Sequence, residues 1–281
     1  MRLRDVRDIQ LQSILNEQRG MSFSHVTKLR MVMQELFHQA YRSRLIPFDP
    51  SDGLRLPKNV KGSHRSITEE ERAHILEVAQ YHPSGLWVLL ILYSGLRPGE
   101  AAALQWKDID FDKNEIHVYK AVESGTNTIK TPKTAAGIRD IPMRKELRRV
   151  LWREHGEPFS LLFPTRKGTI RGPSGIWKLW NSFAKELDLH MGALEEDGRI
   201  LQHAIAPDLT TYCLRHTFCT DLQRAGVAIN IAKELMGHSS IAVTADIYTH
   251  RDSNVLHENI SRLDTPTTSQ VVKMGENWWG N

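Results

Sequence analysis

Hydrophobic residues recur at helical spacing along most of this 281-residue chain, but over 107–142 they switch to a period of two. Ile109/Phe111, Ile116/Val118 and Ile138/Asp140 carry the alternation. Period two marks half-buried strands, and period 3.6 marks amphipathic helices. The switch therefore predicts a mainly α fold with a small antiparallel β-sheet set between helices. Helices are expected over 3–19, from Ser22 or Ser24 to Ala40, after Thr68, over Leu86–Tyr93 and Ala101–Leu104, and over 144–154, 173–188, 211–225, 229–236 and 241–248. Gly192, Gly198 and Pro207 make 190–208 read as a loop. The apolar run Leu86–Tyr93 falls far short of the ~20 residues needed to span a bilayer.

Punctuation divides the chain. Residues 1–57 form a partial helical domain in which Val26, Leu29, Met33, Leu36, Phe37 and Ala40 share one face of the second helix. Lys28, Arg30, Arg42 and Arg44 occupy its other face as candidate DNA contacts. Pro47, Pro50 and Pro57 end this unit, and the polar, basic 58–67 reads as a linker. Thr68-Glu69-Glu70-Glu71 is a capping box that opens a second domain, 68–255. A polar tail, 256–281, follows. Residues 1–65 hold 12 Lys/Arg against 6 Asp/Glu, whereas the remainder holds 25 against 27. A basic quarter on a neutral body points to a polyanion-binding module.

Several classes drop out. The N-terminus has no apolar signal region. Cys213 and Cys219 are too few for a disulfide framework, and with His216 they do not complete a structural zinc set. No phosphate-binding glycine loop is present. Asp108-x-Asp110-x-Asp112 opens like a calcium loop, but Lys113 stands where that loop needs glycine.

Five clusters remain that carry chemistry. Arg97 lies in Ser94-Gly-Leu-Arg97-Pro-Gly-Glu100, where a turn could present its guanidinium to a phosphate. Taken alone, it reads equally as a surface arginine paired to Glu100. Tyr212, Arg215 and His216 fall in the first turns of a helix capped by Thr210 or Thr211, where backbone N–H groups favour anions. Leu235-Met-Gly237-His238 is a glycine helix stop with a histidine behind it. Asp246-Ile-Tyr248-Thr-His250 ends the next helix. A hairpin over 130–142 carries Lys130 and Lys133.

In order and spacing these motifs resemble the tyrosine recombinase (phage integrase) family: Gly-Leu-Arg97-x-x-Glu100, the hairpin lysine before Arg139-Asp-Ile-Pro142, Tyr212-x-Leu-Arg215-His216-Thr-Phe, Leu-Met-Gly-His238-Ser and Tyr248-Thr-His. The similarity is greatest to integrases of phages and conjugative elements of Gram-positive bacteria and covers about 65–255. Residues 3–57 resemble, less sharply, the last helices of that family's core-binding domain. The resemblance implies a tyrosine-recombinase catalytic domain of α+β type. In it Tyr248 attacks a phosphodiester and forms a 3′-phosphotyrosyl link. Arg97 and Arg215 clamp the non-bridging oxygens, and Lys133 protonates the leaving 5′-oxygen, with Lys130 as the alternative. His238 hydrogen-bonds the phosphate, while Glu100 and His216 support the site. Arginines then supply the electrostatic stabilisation, so no metal and no cofactor is implied. The implied partners are double-stranded DNA at crossover sites, further copies of the chain in a synaptic tetramer, and accessory excision or bending factors. The implied setting is the bacterial cytoplasm, with no membrane.

Two departures stand out. Tyr212 occupies a position usually held by histidine, and an ordinary phenol pKa of about 10 makes a poor base. The N-terminal region is short for the family, so a truncated chain with reduced sequence-specific affinity is expected. Rival readings are a catalytically inactive DNA-binding protein on the same fold and a type IB topoisomerase-like enzyme.

Overall fold

The computed structural model describes residues 2–57, 65–123, 127–132 and 135–248, with 246–248 described by their helical backbone. Most of the expected linker, Lys133 and the expected tail lie outside the described residues. The chain divides into two compact units, Met1–Ser63 and His64–Asn281.

In the first unit, α1 (Asp8–Glu17) packs on α2 (Phe23–Arg42). Ser22 caps α2, its hydroxyl accepting from His25 N at 3.2 Å. Leu11, Leu15, Val26, Met33, Phe37 and Ala40 close a small core. Two expectations shift here. The helix expected over 3–19 is broken, with a 3-10 turn at Leu3–Asp5 before α1. Leu36, expected on the buried face, is 65% exposed. It lies one residue before buried Phe37, about 100° around the helix.

The second unit begins at the capping box. Thr68 Oγ1 accepts from Glu71 N at 3.0 Å and Glu71 Oε2 accepts from Thr68 N at 2.8 Å, opening α3 (Glu69–Val78). Arg65, Ser66 and Ile67, expected in the linker, are held by this unit. Arg65 pairs with Glu71 and Asp208, and Ile67 N donates to Thr217 Oγ1. Helix α4 (Gly85–Ser94) is buried on all sides except at Leu86. A helix apolar all round belongs at the centre of a core. Around it pack α5 (Pro98–Ala103), α6 (Lys145–Arg153), α7 (Pro173–His190) and α8 (Thr211–Arg224). Helices α9 (Ile229–Met236) and α10 (Ile241–Tyr248) complete the unit against α8.

Among the described residues the β structure is three small antiparallel sheets rather than one. Strand β2 (Glu115–Val118) lies between β1 (Ile109–Asp110) and β5 (Arg139–Pro142), pairing Ile109 with Ile116 and Val118 with Arg139. Strands β3 (Ala121–Val122) and β4 (Ile129–Lys130) form a hairpin, with β3 beside α5. The phase of β5 differs from expectation. Arg139 and Ile141 face inward, and Ile138 is 54% exposed. The stretch expected as loop holds a hairpin, β6 (Leu194–Glu196) and β7 (Arg199–Gln202). Its turn residues Asp197 and Gly198 both have positive φ, 50° and 79°, as a two-residue primed turn requires. Asp108 serves packing: it pairs with Lys120 at 2.7 Å and accepts from Tyr119 Oη at 2.6 Å.

Gly95 ends α4 at φ +64°. A Cβ there would lie 2.4 Å from Phe218 Cδ1 and 3.0 Å from Met236 Sδ. Gly95→Ala combines left-handed strain with overpacking and should cost about 2–4 kcal/mol. Urea unfolding at neutral pH checks this; a loss below 1 kcal/mol would mean that α8 and α9 yield freely.

Candidate phosphate-binding site

The site is organised by the C-terminal end of α9. Gly237 takes φ +64° and stops the helix, leaving the last carbonyls without helical partners. Three consecutive carbonyls each accept a guanidinium N–H from a different element. Arg139 Nε of β5 donates to Leu235 O at 2.8 Å. Arg215 Nη2 of α8 donates to Met236 O at 2.6 Å. Arg97 Nη2, at the N-cap of α5, donates to Gly237 O at 2.9 Å. The partial negative charge of a helix C-terminus favours cations, and the geometry uses it three times. Arg139 also explains why position 237 is glycine: a Cβ there would lie 2.6 Å from Arg139 Nη1.

Glu100 ties the arginines together from the other side. It is 3% exposed, and its Oε1 and Oε2 accept from Arg139 Nη1 and Nη2 at 3.2 and 2.9 Å. The same carboxylate accepts from Arg97 Nη1 and from Arg97 N, both at 2.8 Å. Burial would raise its pKa, but the hydrogen bonds and charge of Arg139 and the charge of Arg97 hold it below the usual carboxylate range.

Arg215 is 5% exposed and also donates Nη1 to Gly95 O, tying α8 to the end of α4. Burial pushes its pKa down to about 9, and Arg97 and Arg139 push the same way against Glu100. It is still charged at neutral pH. His238 is 8% exposed, with Nδ1 2.9 Å from Oγ1 of buried Thr244 on α10. Burial, then the charges of Arg215, Arg97 and Arg139, push its pKa down to about 4. The imidazole is therefore neutral at physiological pH.

The expected residues Arg97, Glu100, Arg215 and His238 thus meet at one place. Tyr212, in the first turn of α8, is 47% exposed and lines an open cleft of about 700 Å³ with Arg97, Val122, Trp177, Trp180 and Thr211. His216 is half-buried on α8, next to Arg215 in sequence. Tyr248 is the last residue of α10, one helical turn after Thr244. Lys133 lies outside the described residues. Lys130 is on β4, ion-paired to Glu123 at 2.6 Å and well exposed. In the first unit, Arg42 and Arg44 line one basic concavity with Arg4 and Tyr41. Lys28 and Arg30 do not line it; Arg30 is half-buried, with no partner for Nε among the described residues.

Arg139 and Thr244 were not among the expected site residues. Arg139 carried only an ambiguous signal, because period two fits either face of its strand. On the strand Arg-Asp-Ile-Pro142 it shares a face with Ile141, and an arginine on a buried face needs a carboxylate. Thr244 carried none, because its partner is six residues away across a helix start.

The sequence model of the phage integrase family matches residues 65–254. A tyrosine recombinase XerC-like protein of Caldanaerobacter subterraneus subsp. tengcongensis is 29% identical, over 89% of this chain and 68% of that protein. The transposase from transposon Tn916 of Enterococcus faecalis is 26% identical, over 90% of this chain and 64% of its own length. The chain thus spans about two thirds of the length of these relatives. Among solved structures, the Tn1549 transposon integrase in complex with a circular intermediate DNA superposes with a TM-score of 0.72 at 21% identity, covering 92% of this chain and 86% of that one. A lambda integrase dimer bound to a COC′ core site gives 0.59 at 18%, covering 89% and 83%. The likeness to both structures establishes the fold.

Arg139→Met leaves Glu100 buried with Arg97 alone. It should cost about 3–5 kcal/mol in chemical denaturation, and adding Glu100→Gln should recover part of that loss. Equal stability of the two variants would mean that Glu100 does not depend on Arg139. His238 has its pKa lowered on folding, so the unfolded chain binds the extra proton first. Its contribution is complete above about pH 6.5 and is lost as the pH falls toward 4. Between pH 7 and 5 the wild type should therefore lose about 2 kcal/mol more than His238→Gln. Parallel losses in the two proteins would show that His238 titrates normally.

Proposed function

Since the chain belongs to the phage integrase family, we propose that it is a site-specific DNA recombinase. It cleaves and rejoins DNA through a 3′-phosphotyrosyl intermediate, in the integration and excision of a mobile element. The observation that carries this reading is the charge balance of the site. Three guanidiniums gather here, but the Glu100 carboxylate pairs only with Arg97 and Arg139, Arg215 has no carboxylate partner among the described residues, and Arg97 keeps 40% of its side chain exposed. A preorganised excess of positive charge beside an open cleft suits a phosphodiester whose charge grows in the transition state.

In the proposed reaction the Tyr248 oxygen attacks the scissile phosphorus, the bond to the 5′-oxygen breaks, and a 3′-phosphotyrosyl ester forms. Arg97 and Arg215 hold the non-bridging oxygens. His238 adds a hydrogen bond: when Thr244 donates its hydroxyl proton to Nδ1, Nε2 carries the N–H. Lys133 gives its proton to the departing 5′-oxygen, with Lys130 as the alternative. Tyr212 hydrogen-bonds the phosphate or Tyr248, and the Tyr248 proton passes to water in the open cleft. Glu100 and Arg139 fix Arg97, and His216 buttresses Arg215. Rejoining is the reverse attack by a 5′-hydroxyl, and the energy of the broken bond is kept in the ester. The other proposed roles are double-stranded DNA as substrate, with Lys28, Arg30, Arg42 and Arg44 on its backbone, a tetramer of this chain on two duplexes, accessory bending or excision factors, and action in the bacterial cytoplasm. Residues 1–57 act as the core-DNA-binding part, 68–255 as the catalytic domain, and 256–281 as a tail.

Covalent trapping tests the proposal. Protein incubated in EDTA with nicked suicide duplexes of a candidate crossover site should give an SDS-resistant adduct, and Tyr248→Phe should give none. Arg215→Lys keeps the charge but loses the fork that grips both Gly95 O and Met236 O. It should lower adduct formation about 10²–10³-fold while DNA affinity changes less than threefold. Adduct from Tyr248→Phe would overturn the nucleophile assignment. DNA shifted on a native gel with no adduct from the wild type would favour the binding-only reading.

A further inference from the structure

At the edge of the second unit, away from the cleft, three metal-ligating side chains from two helices come together. His74 and Glu77 lie three residues apart on α3 and so share a face. His190 is the last residue of α7. His74 Nδ1 and His190 Nδ1 are 3.0 Å apart, and the rings meet edge to face with centroids 5.1 Å apart. Glu77 Oε2 lies 3.3 Å from His190 Nε2. One donor atom from each of the three residues falls within 4.8 Å of the others.

We propose that His74, Glu77 and His190 form a binding site for a borderline divalent transition-metal ion of the zinc type, which clips α3 to α7. The donor set is right for such an ion: two imidazole nitrogens and one carboxylate, with a water completing the tetrahedron. The spacing is right as well. Ligands 2.0–2.2 Å from a tetrahedral ion lie roughly 3.4 Å apart, so the two imidazoles need open by only a few tenths of an ångström. Glu77 is 61% exposed and free to swing from Nε2 onto an ion. Both helices also present their C-terminal ends here: Glu77 is the next-to-last residue of α3 and His190 the last of α7. Two helix macrodipoles thus favour a cation at this point. Trp177, which lines the cleft, lies about 20 Å along the axis of α7 from His190, so the ion anchors the far end of the helix and takes no part in the cleft's chemistry.

The test uses the full chain stripped of metal and reads binding and stability, so its outcome is independent of the recombinase proposal. Zn²⁺ titrated in competition with a chromophoric chelator should fill one site at about micromolar Kd. Co²⁺ should give the visible bands of a tetrahedral centre. Zn²⁺ should raise the Tm of the wild type. His74→Ala and His190→Ala should each weaken binding at least tenfold and abolish the Tm rise. His25→Ala, in the first unit, should change neither. Glu77→Gln, at an exposed position that folding tolerates, should weaken binding severalfold. Zn²⁺ bound no tighter than about millimolar, or tight binding that survives removal of both histidines, would overturn the site.

Discussion

The end of one short helix orders the whole site. Helix α9 stops at Gly237, and the carbonyls of Leu235, Met236 and Gly237 receive Arg139, Arg215 and Arg97 in turn. Those arginines come from the middle strand region, from the long helix α8 and from the loop after α4. Elements far apart in sequence are thereby fixed to one point by backbone atoms that the helix had to leave unpaired anyway. The glycine is needed twice, for its positive φ and for the close approach of Arg139.

Glu100 makes this arrangement affordable in energy. A guanidinium as deeply buried as Arg215 or Arg139 costs several kcal/mol unless it is paired and hydrogen-bonded. Carbonyls supply hydrogen bonds but only partial charge, and the one carboxylate is divided between Arg139 and Arg97. Arg215 goes without a carboxylate of its own among the described residues, and its lowered pKa expresses that debt. An anion in the cleft would relieve the repulsion among the three. Among the described residues the three guanidiniums thus outnumber the carboxylates that pair with them, the preorganised excess of charge on which the proposed reaction relies.

Much of this was legible in the sequence wherever one residue type answers one local demand. The capping box at Thr68, the all-apolar α4 and the glycine stop at 237 each announce their structure. So do the positions of Arg97, Glu100, Arg215 and His238, since each sits at a turn or a helix end. What escaped was non-local or ambiguous in phase. Period two over 138–142 fits either face of a strand, and only packing decides that Arg139 points inward and Ile138 outward. The β6–β7 hairpin buries almost nothing, so hydrophobic pattern could not reveal it; Leu194 and Leu201 are both exposed. Its readable signal is the Asp197-Gly198 pair, which fits a two-residue hairpin turn as well as it fits a loop.

His238 joins the two halves of the proposed reaction. On one side it stands among the arginines, whose charge, together with burial, keeps it neutral. On the other its Nδ1 meets Thr244, one turn before Tyr248 on the same helix. A neutral imidazole has a single N–H, and a hydroxyl can either give or take a proton. If Thr244 donates, the N–H of His238 faces the phosphate; if the imidazole donates to Thr244, a lone pair faces it instead. A bound phosphate oxygen accepts only the first arrangement. Binding of the anion therefore selects the orientation of the Thr244 hydroxyl on the helix that carries Tyr248. The depressed pKa is what makes this selection work, because a protonated imidazole would donate from both nitrogens and leave Thr244 only the acceptor's role.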